Sequence, residues 1–327
     1  MARLTQSYMT GEGTGQLLYE TIGTCFDRVV TQHPGNPALI VHHQNVRWSY
    51  QELKRQVDRL ATGLLALGIK RGDRVGVWGP NSYEWIVTQF ATAKIGAILV
   101  NVNPAYRLFE LEYVLNKVEC KAIISAEKFK SSEYLGMLNK LAPELASCEP
   151  GYLRAQKLPY LTTVIRMGDQ ESPGMFNFEE VCTLGEESQY EQLRELELQL
   201  GPDDAINIQF KSGTTGNPKG ATLTHCNILN NGYEAGKGMA LTPDDRLCIP
   251  VPLYHCFGMV LGVLAAVSHG ATIVFPAPVY DPLSTLEAVQ SENCTALHGV
   301  PTMFVTELDC PEFEQFDLST LRTGIIA

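Results

Sequence analysis

Between Arg74 and Ser125 five segments alternate between strand-like and helical patterns. Arg74 to Trp78 reads as a strand, Tyr83 to Ala93 as a helix, Ala97 to Val102 as a strand, Phe109 to Asn116 as a helix and Lys121 to Ser125 as a strand. Parallel neighbours need a crossover, usually helical, so this β-α-β-α-β order predicts an α/β fold with a mostly parallel sheet and helices on its faces. Asn81 and Ser82 follow a strand end, where open α/β sheets place ligands, but Gly79 to Ser82 reads equally well as a helix-capping turn.

The pattern repeats towards the C-terminus. Ala221 to Leu223 extends a strand, and Asn227 to Ala240 reads as a helix, followed by a strand at Arg246 to Pro250. Gly258 to Ser268 reads as an apolar helix and Ala271 to Phe275 as a strand. Asp281-Pro282 is an N-cap with proline at the first helical position, and strands follow at Thr295 to Val300 and Thr323 to Ala327. Two stacked αβ lobes are expected, residues 16–200 and 201–327, meeting at Gly201-Pro202.

Before the first alternation, a helix is expected over Leu17 to Val30 and a strand over Ala38 to Val41. Ser49 and Glu52 form a capping box ahead of Leu53, Val57, Leu60, Ala61 and Leu64, a helical stripe ending near Gly68. Helices are also expected at Phe129 to Leu141 and Tyr190 to Leu200. The polar, Gly-rich residues 1–15 read as disordered.

With 327 residues, 45% of them hydrophobic, the chain can bury a substantial core, and its net charge of −11 argues against a nucleic-acid surface. Nine scattered cysteines without a Cys-x-x-Cys pair make neither a zinc pattern nor a disulfide framework. Cys256 beside His255 is not by that fact a catalytic pair, because chain neighbours need not face each other. No apolar run reaches the roughly 20 residues that span a bilayer.

The chemistry concentrates between Ile206 and His225. Ile206, Ile208 and Phe210 share one side of a strand, which then breaks into Ser212-Gly-Thr-Thr-Gly-Asn-Pro-Lys-Gly220. Hydroxyls at Ser212, Thr214 and Thr215, the permissive Gly213, Gly216 and Gly220, and the Lys219 ammonium suit a polyanion such as a nucleotide's phosphates. A Gly-rich hairpin turn is the competing reading. A Walker A loop is excluded: Pro218 stands five residues after Gly213, and Gly220 follows the lysine. No Gly-x-Gly-x-x-Gly follows the first strand, which excludes a dinucleotide-binding dehydrogenase.

The nine residues Ser212 to Gly220, including Asn217 and Pro218, resemble the phosphate-binding signature of the acyl-activating (adenylate-forming) enzymes. Trp78-Gly-Pro-Asn-Ser-Tyr83, Val102-Asn-Pro-Ala-Tyr106, Leu111-Glu-Tyr-Val-Leu115 and Pro252-Leu-Tyr-His255 are similar to the medium-chain acyl-CoA ligases of that family. The resemblance runs from about Thr21 to the last residue. It implies the fold of the family's N-terminal domain, with ATP, Mg²⁺ and CoA as co-reactants of a fatty acid. It also implies a mitochondrial location, with the cytoplasm as the alternative. Phosphate contacts fall to Ser212, Thr214, Thr215 and Lys219, while Gly213 and Gly216 let the loop move.

By the same resemblance His255 positions the substrate carboxylate, and Tyr254, Phe257, Gly258, His298 and Gly299 line the acyl pocket. A packed core histidine and ordinary core packing are the alternatives there. No residue is assigned to a metal. Lys211 departs from the pattern, which has Thr or Ser before the Ser-Gly.

The sequence lacks the family's later Tyr-Gly-Thr-Thr-Glu segment, its ribose-binding Asp and the C-terminal domain with its catalytic lysine. Two readings follow: the N-terminal part of an acyl-CoA ligase, inactive alone, or a non-catalytic form that binds nucleotide, fatty acid or a partner.

Overall fold

The computed structural model describes residues 17–213 and 216–327, so the expected disorder of residues 1–15 lies outside the described residues, as do Thr214 and Thr215. Two sheets organise the fold. The larger has the order Gly216–Thr224, Ala205–Gly213, Ile98–Asn101, Arg74–Trp78, Cys120–Ser125, Thr163–Arg166, Phe176–Asn177. The smaller runs Thr323–Ile326, Ala296–Gly299, Arg246–Cys248, Thr272–Phe275, Pro37–Val41, Val46–Ser49. Each is parallel except for one antiparallel edge strand, Gly216–Thr224 in the first and Val46–Ser49 in the second.

The lobes do not divide at Gly201-Pro202. Pro37–Val41 and Val46–Ser49 pair into the smaller sheet, while the hairpin of 205–224 completes the edge of the larger one through Asn207 opposite Leu99. The sheets therefore exchange strands across the expected boundary. The largest core cluster joins a face of each sheet to helices Ile22–Gln32, Tyr50–Ala66, Tyr83–Ile95 and His225–Gly238. Tyr83–Ile95 is buried beyond its first residue, as a helix covered on both sides must be. A second cluster, with Leu111, Val114 and Leu138, covers the outer face of the larger sheet, and a third, with Ala288 and Val289, covers that of the smaller.

Most predicted elements are present, some with shifted ends. The Ser49–Glu52 capping box forms, and Arg74–Trp78 has the expected bounds. The first helix begins at Ile22 rather than Leu17, because Thr21 caps it by accepting from Thr24 N at 3.1 Å. Phe129 does not start a helix: Lys128–Phe129 and Ser132–Glu133 pair as a small hairpin, with Lys130 left-handed at φ 53°, before helix Tyr134–Leu141. The apolar segment after His255 is a π-helix over Phe257–Leu264 that becomes α-helical at Ala265–Ser268. Ile206 does not share a face with Ile208 and Phe210: a register irregularity between Ala205 and Asn207 turns it into the central core, while the other two face the outer cluster.

Candidate nucleotide and acyl site

The Gly-rich loop is the tip of the antiparallel hairpin Ala205–Gly213/Gly216–Thr224. The register is continuous from Asn207 opposite Leu223 to Lys211 opposite Lys219. Asn207, Gln209 and Lys211 therefore share one face of the hairpin, and Ile208 and Phe210 the other. On that second face a Cβ at Gly220 would be tight, 3.1 Å from Ile208 Cγ2 and 3.2 Å from the Phe210 ring, and these side chains would have to give by a few tenths of an ångström. Lys211 and Lys219 are both exposed.

The first face carries a relay of buried amides that joins the hairpin to the segment containing Tyr254 and His255. Asn207 Nδ2 donates to Leu99 O at 3.0 Å and to Asn101 Oδ1 at 2.9 Å. Asn101 Nδ2 in turn donates to Tyr254 O at 3.2 Å and lies 3.4 Å from Met259 Sδ. Asn81 holds the same segment from the other strand end, donating to Val251 O at 3.0 Å and accepting from Leu253 N at 2.9 Å. The capping role belongs to its neighbour Ser82, whose Oγ accepts from Trp85 N. The sequence gives little sign of this role: Asn101 ends the apolar strand Ile98–Asn101, and Asn207 alternates with Gln209 and Lys211 along Ala205–Gly213.

His255 is exposed at the start of the π-helical segment. Its Nδ1 accepts from Phe257 N at 3.2 Å, so in the neutral ring Nε2 carries the proton. Cys256 Sγ lies 3.7 Å from the same Nδ1; this contact raises the His255 pKa against the opposing effect of burial, and the imidazole lowers the Cys256 thiol.

Tyr254 lines a cavity of about 510 Å³ together with Asn81, Asn103, Arg107, Phe129, Lys130, Tyr280 and Met303. The cavity combines aromatic and aliphatic walls with two cations. Arg107 Nη1 donates to Ser132 Oγ at 2.5 Å, and Lys130 Nζ sits 5.7 Å from the Phe129 ring centre.

Phe257, Gly258, His298 and Gly299 do not line this cavity. Phe257 and Gly258 are buried, and a Cβ at Gly258 would meet Pro252 O at 2.5 Å, so the glycine permits close backbone approach. His298 is fully buried beside the Phe257 ring, with Nε2 donating to Leu261 O at 2.9 Å and Nδ1 accepting from Ile325 N at 3.2 Å. Burial lowers its pKa. Gly299 is buried against the Phe304 ring, which a Cβ would approach to 2.7 Å. Among the described residues no group of three or more His, Cys, Asp or Glu side chains is arranged to hold a metal ion.

Comparison with known proteins agrees with this architecture. The family model "AMP-binding enzyme" matches residues 26–327. A medium-chain acyl-CoA ligase, ACSF2, mitochondrial, of Bos taurus is 46% identical over 326 residues, covering 98% of this chain and 53% of its own length. A putative acyl-CoA synthetase, YngI, of Bacillus subtilis is 43% identical, covering 95% of this chain and 57% of its own length. The chain thus spans about half the length of the curated relatives it matches. The anthranilate CoA ligase AuaEII in complex with anthranoyl-AMP shares the fold with a TM-score of 0.80 at 22% identity, over 95% of this chain and 55% of its own. The N-terminal domain of FACL13 from Mycobacterium tuberculosis does so with a TM-score of 0.74 at 24% identity, over 94% of this chain and 69% of its own. On the family match and the fold together, this chain belongs to the AMP-binding enzymes.

Proposed function

We propose that the chain supplies the nucleotide-binding and acyl-binding part of an ATP-dependent fatty acid–CoA ligase. In this reaction a carboxylate attacks the α-phosphate of ATP, giving acyl-adenylate and pyrophosphate, and the CoA thiol then displaces AMP. The observation that carries the reading is the amide relay Asn207–Asn101–Tyr254, which ties the strand entering the Gly-rich loop to the aromatic–histidine segment.

Each group then has a task. Ser212 to Gly220 holds the phosphates through backbone N–H groups, hydroxyls and the Lys219 ammonium; Mg²⁺, when bound with ATP, would supply charge neutralisation there. His255 presents Nε2–H to the substrate carboxylate and orients it. The cavity beside Tyr254 accommodates part of the substrates, its apolar walls gaining about 0.8 kcal/mol per buried CH₂. The similarity to ligases named medium-chain and mitochondrial favours a medium-chain fatty acid and a mitochondrial location.

The 327 residues by themselves hold ATP but do not complete the thioester, because catalysis needs the carboxylate and lysine that the family carries in later segments. The purified chain, given ATP, CoA and fatty acids of graded length, is expected to yield no acyl-CoA by chromatography. Carboxylate-dependent thioester formation would refute the claim of inactivity. If ATP is not bound at all, the alternative of a fatty-acid-binding or partner-binding chain is favoured.

A further inference from the structure

Lys211 stands directly across the hairpin from Lys219, and both side chains are exposed. Directly opposed residues of an antiparallel pair have Cβ atoms about 5 Å apart and project to the same face, where like charges are destabilising. The face is defined by the rest of the strand. Asn207 bonds Asn101, and the Gln209 amide points at Met259 Sδ, 4.0 Å away. Lys211 is the next residue of that series, so its ammonium leaves the hairpin on the side of the Tyr254–His255 segment. Lysines on edge strands also deter unwanted strand pairing, and Lys219, on the edge strand, could serve that purpose alone. Lys211 lies on the neighbouring strand, two residues past Gln209, where the pairing with Ile98–Asn101 ends.

We propose that Lys211 and Lys219 form a two-lysine clamp on the terminal phosphates of ATP, and that Lys211 is a specificity-determining residue favouring triphosphate and pyrophosphate over monophosphate. The inference rests on the phosphate-binding reading of the loop and adds a cation where the family has a hydroxyl. Two flexible lysines rooted about 5 Å apart at Cβ can bring both ammoniums to one polyphosphate chain, and a bound polyanion turns their mutual repulsion into shared attraction.

The test compares wild type, Lys211→Thr and Lys219→Ala by calorimetric titration with ATP, pyrophosphate and AMP, at low and high salt. Lys211→Thr is expected to weaken ATP and pyrophosphate about fivefold to tenfold at low salt, less at high salt, and to leave AMP unchanged. The same variant is expected to melt slightly higher without ligand, a gain opposite in sign to the loss of binding. Wild type and Lys211→Thr binding ATP within twofold of each other, while Lys219→Ala loses it, would overturn the clamp and leave the loop reading standing. No ATP binding by folded wild type would overturn both.

Discussion

Asn207 and Asn101 meet across two parallel strands, amide to amide, at 2.9 Å, in a part of the core where both are buried. Their contact fixes the spacing between the hairpin that ends in the Gly-rich loop and the carbonyl of Tyr254, which Asn101 also holds. The geometry of the candidate site is thus set inside the fold, behind the residues proposed to face ligand.

Replacing Asn101 by Ala leaves Tyr254 O and one Asn207 N–H without these partners. Unsatisfied buried groups cost about 1–3 kcal/mol each, so Asn101→Ala is expected to lose about 2 kcal/mol in urea unfolding. Hydrogen exchange at the amides of residues 254–259 should quicken in the same variant.

Gly258→Ala tests the close approach behind His255. The added methyl would lie 2.5 Å from Pro252 O, a backbone atom that can yield only by moving the 252–255 segment. The expected cost is about 1–3 kcal/mol, read as a lower midpoint of denaturation. A variant as stable as wild type would show that the segment yields freely.

Legibility in the sequence followed the range of the interactions. Local devices were readable: the Ser49–Glu52 box, the Asp281 cap and the strand Arg74–Trp78 all depend on residues within a few positions. Sheet membership was not, because Leu39 pairs with Ile273, more than two hundred residues away. The same holds for Asn81, whose partners lie at Val251 and Leu253, and for His298, whose ring is satisfied by Leu261 and Ile325. The bulge that turns Ile206 inwards broke a clean strand alternation that the residues alone supported. For the Gly-rich loop, order and spacing gave the motif, but the register opposing Lys211 to Lys219 required the fold.

His225 makes the fold acid-sensitive. It is fully buried, Nδ1 accepts from Ile22 N at 3.1 Å, and burial lowers its pKa to about 4, with Asp204 opposing weakly. The neutral ring is the form the fold accepts. Its contribution is therefore present above the ordinary histidine pKa near 6.5 and is lost as pH falls from there towards 4. The loss amounts to about 3 kcal/mol in total. Urea unfolding at pH 7 and pH 5 should show about 2 kcal/mol of it, and His225→Gln, which keeps an acceptor without a titrating ring, should flatten the difference.

The central claim is that the loop of residues 212–220 holds nucleotide phosphates, and titration of ATP into the wild-type chain and Lys219→Ala tests it most directly. Lys219 is exposed, so its removal should leave the melting temperature nearly unchanged. Saturable binding by wild type is expected, weakened about tenfold or more in Lys219→Ala, in keeping with the loss of a charge-assisted contact. Equal affinity in the two proteins, or no binding by folded wild type, would contradict it.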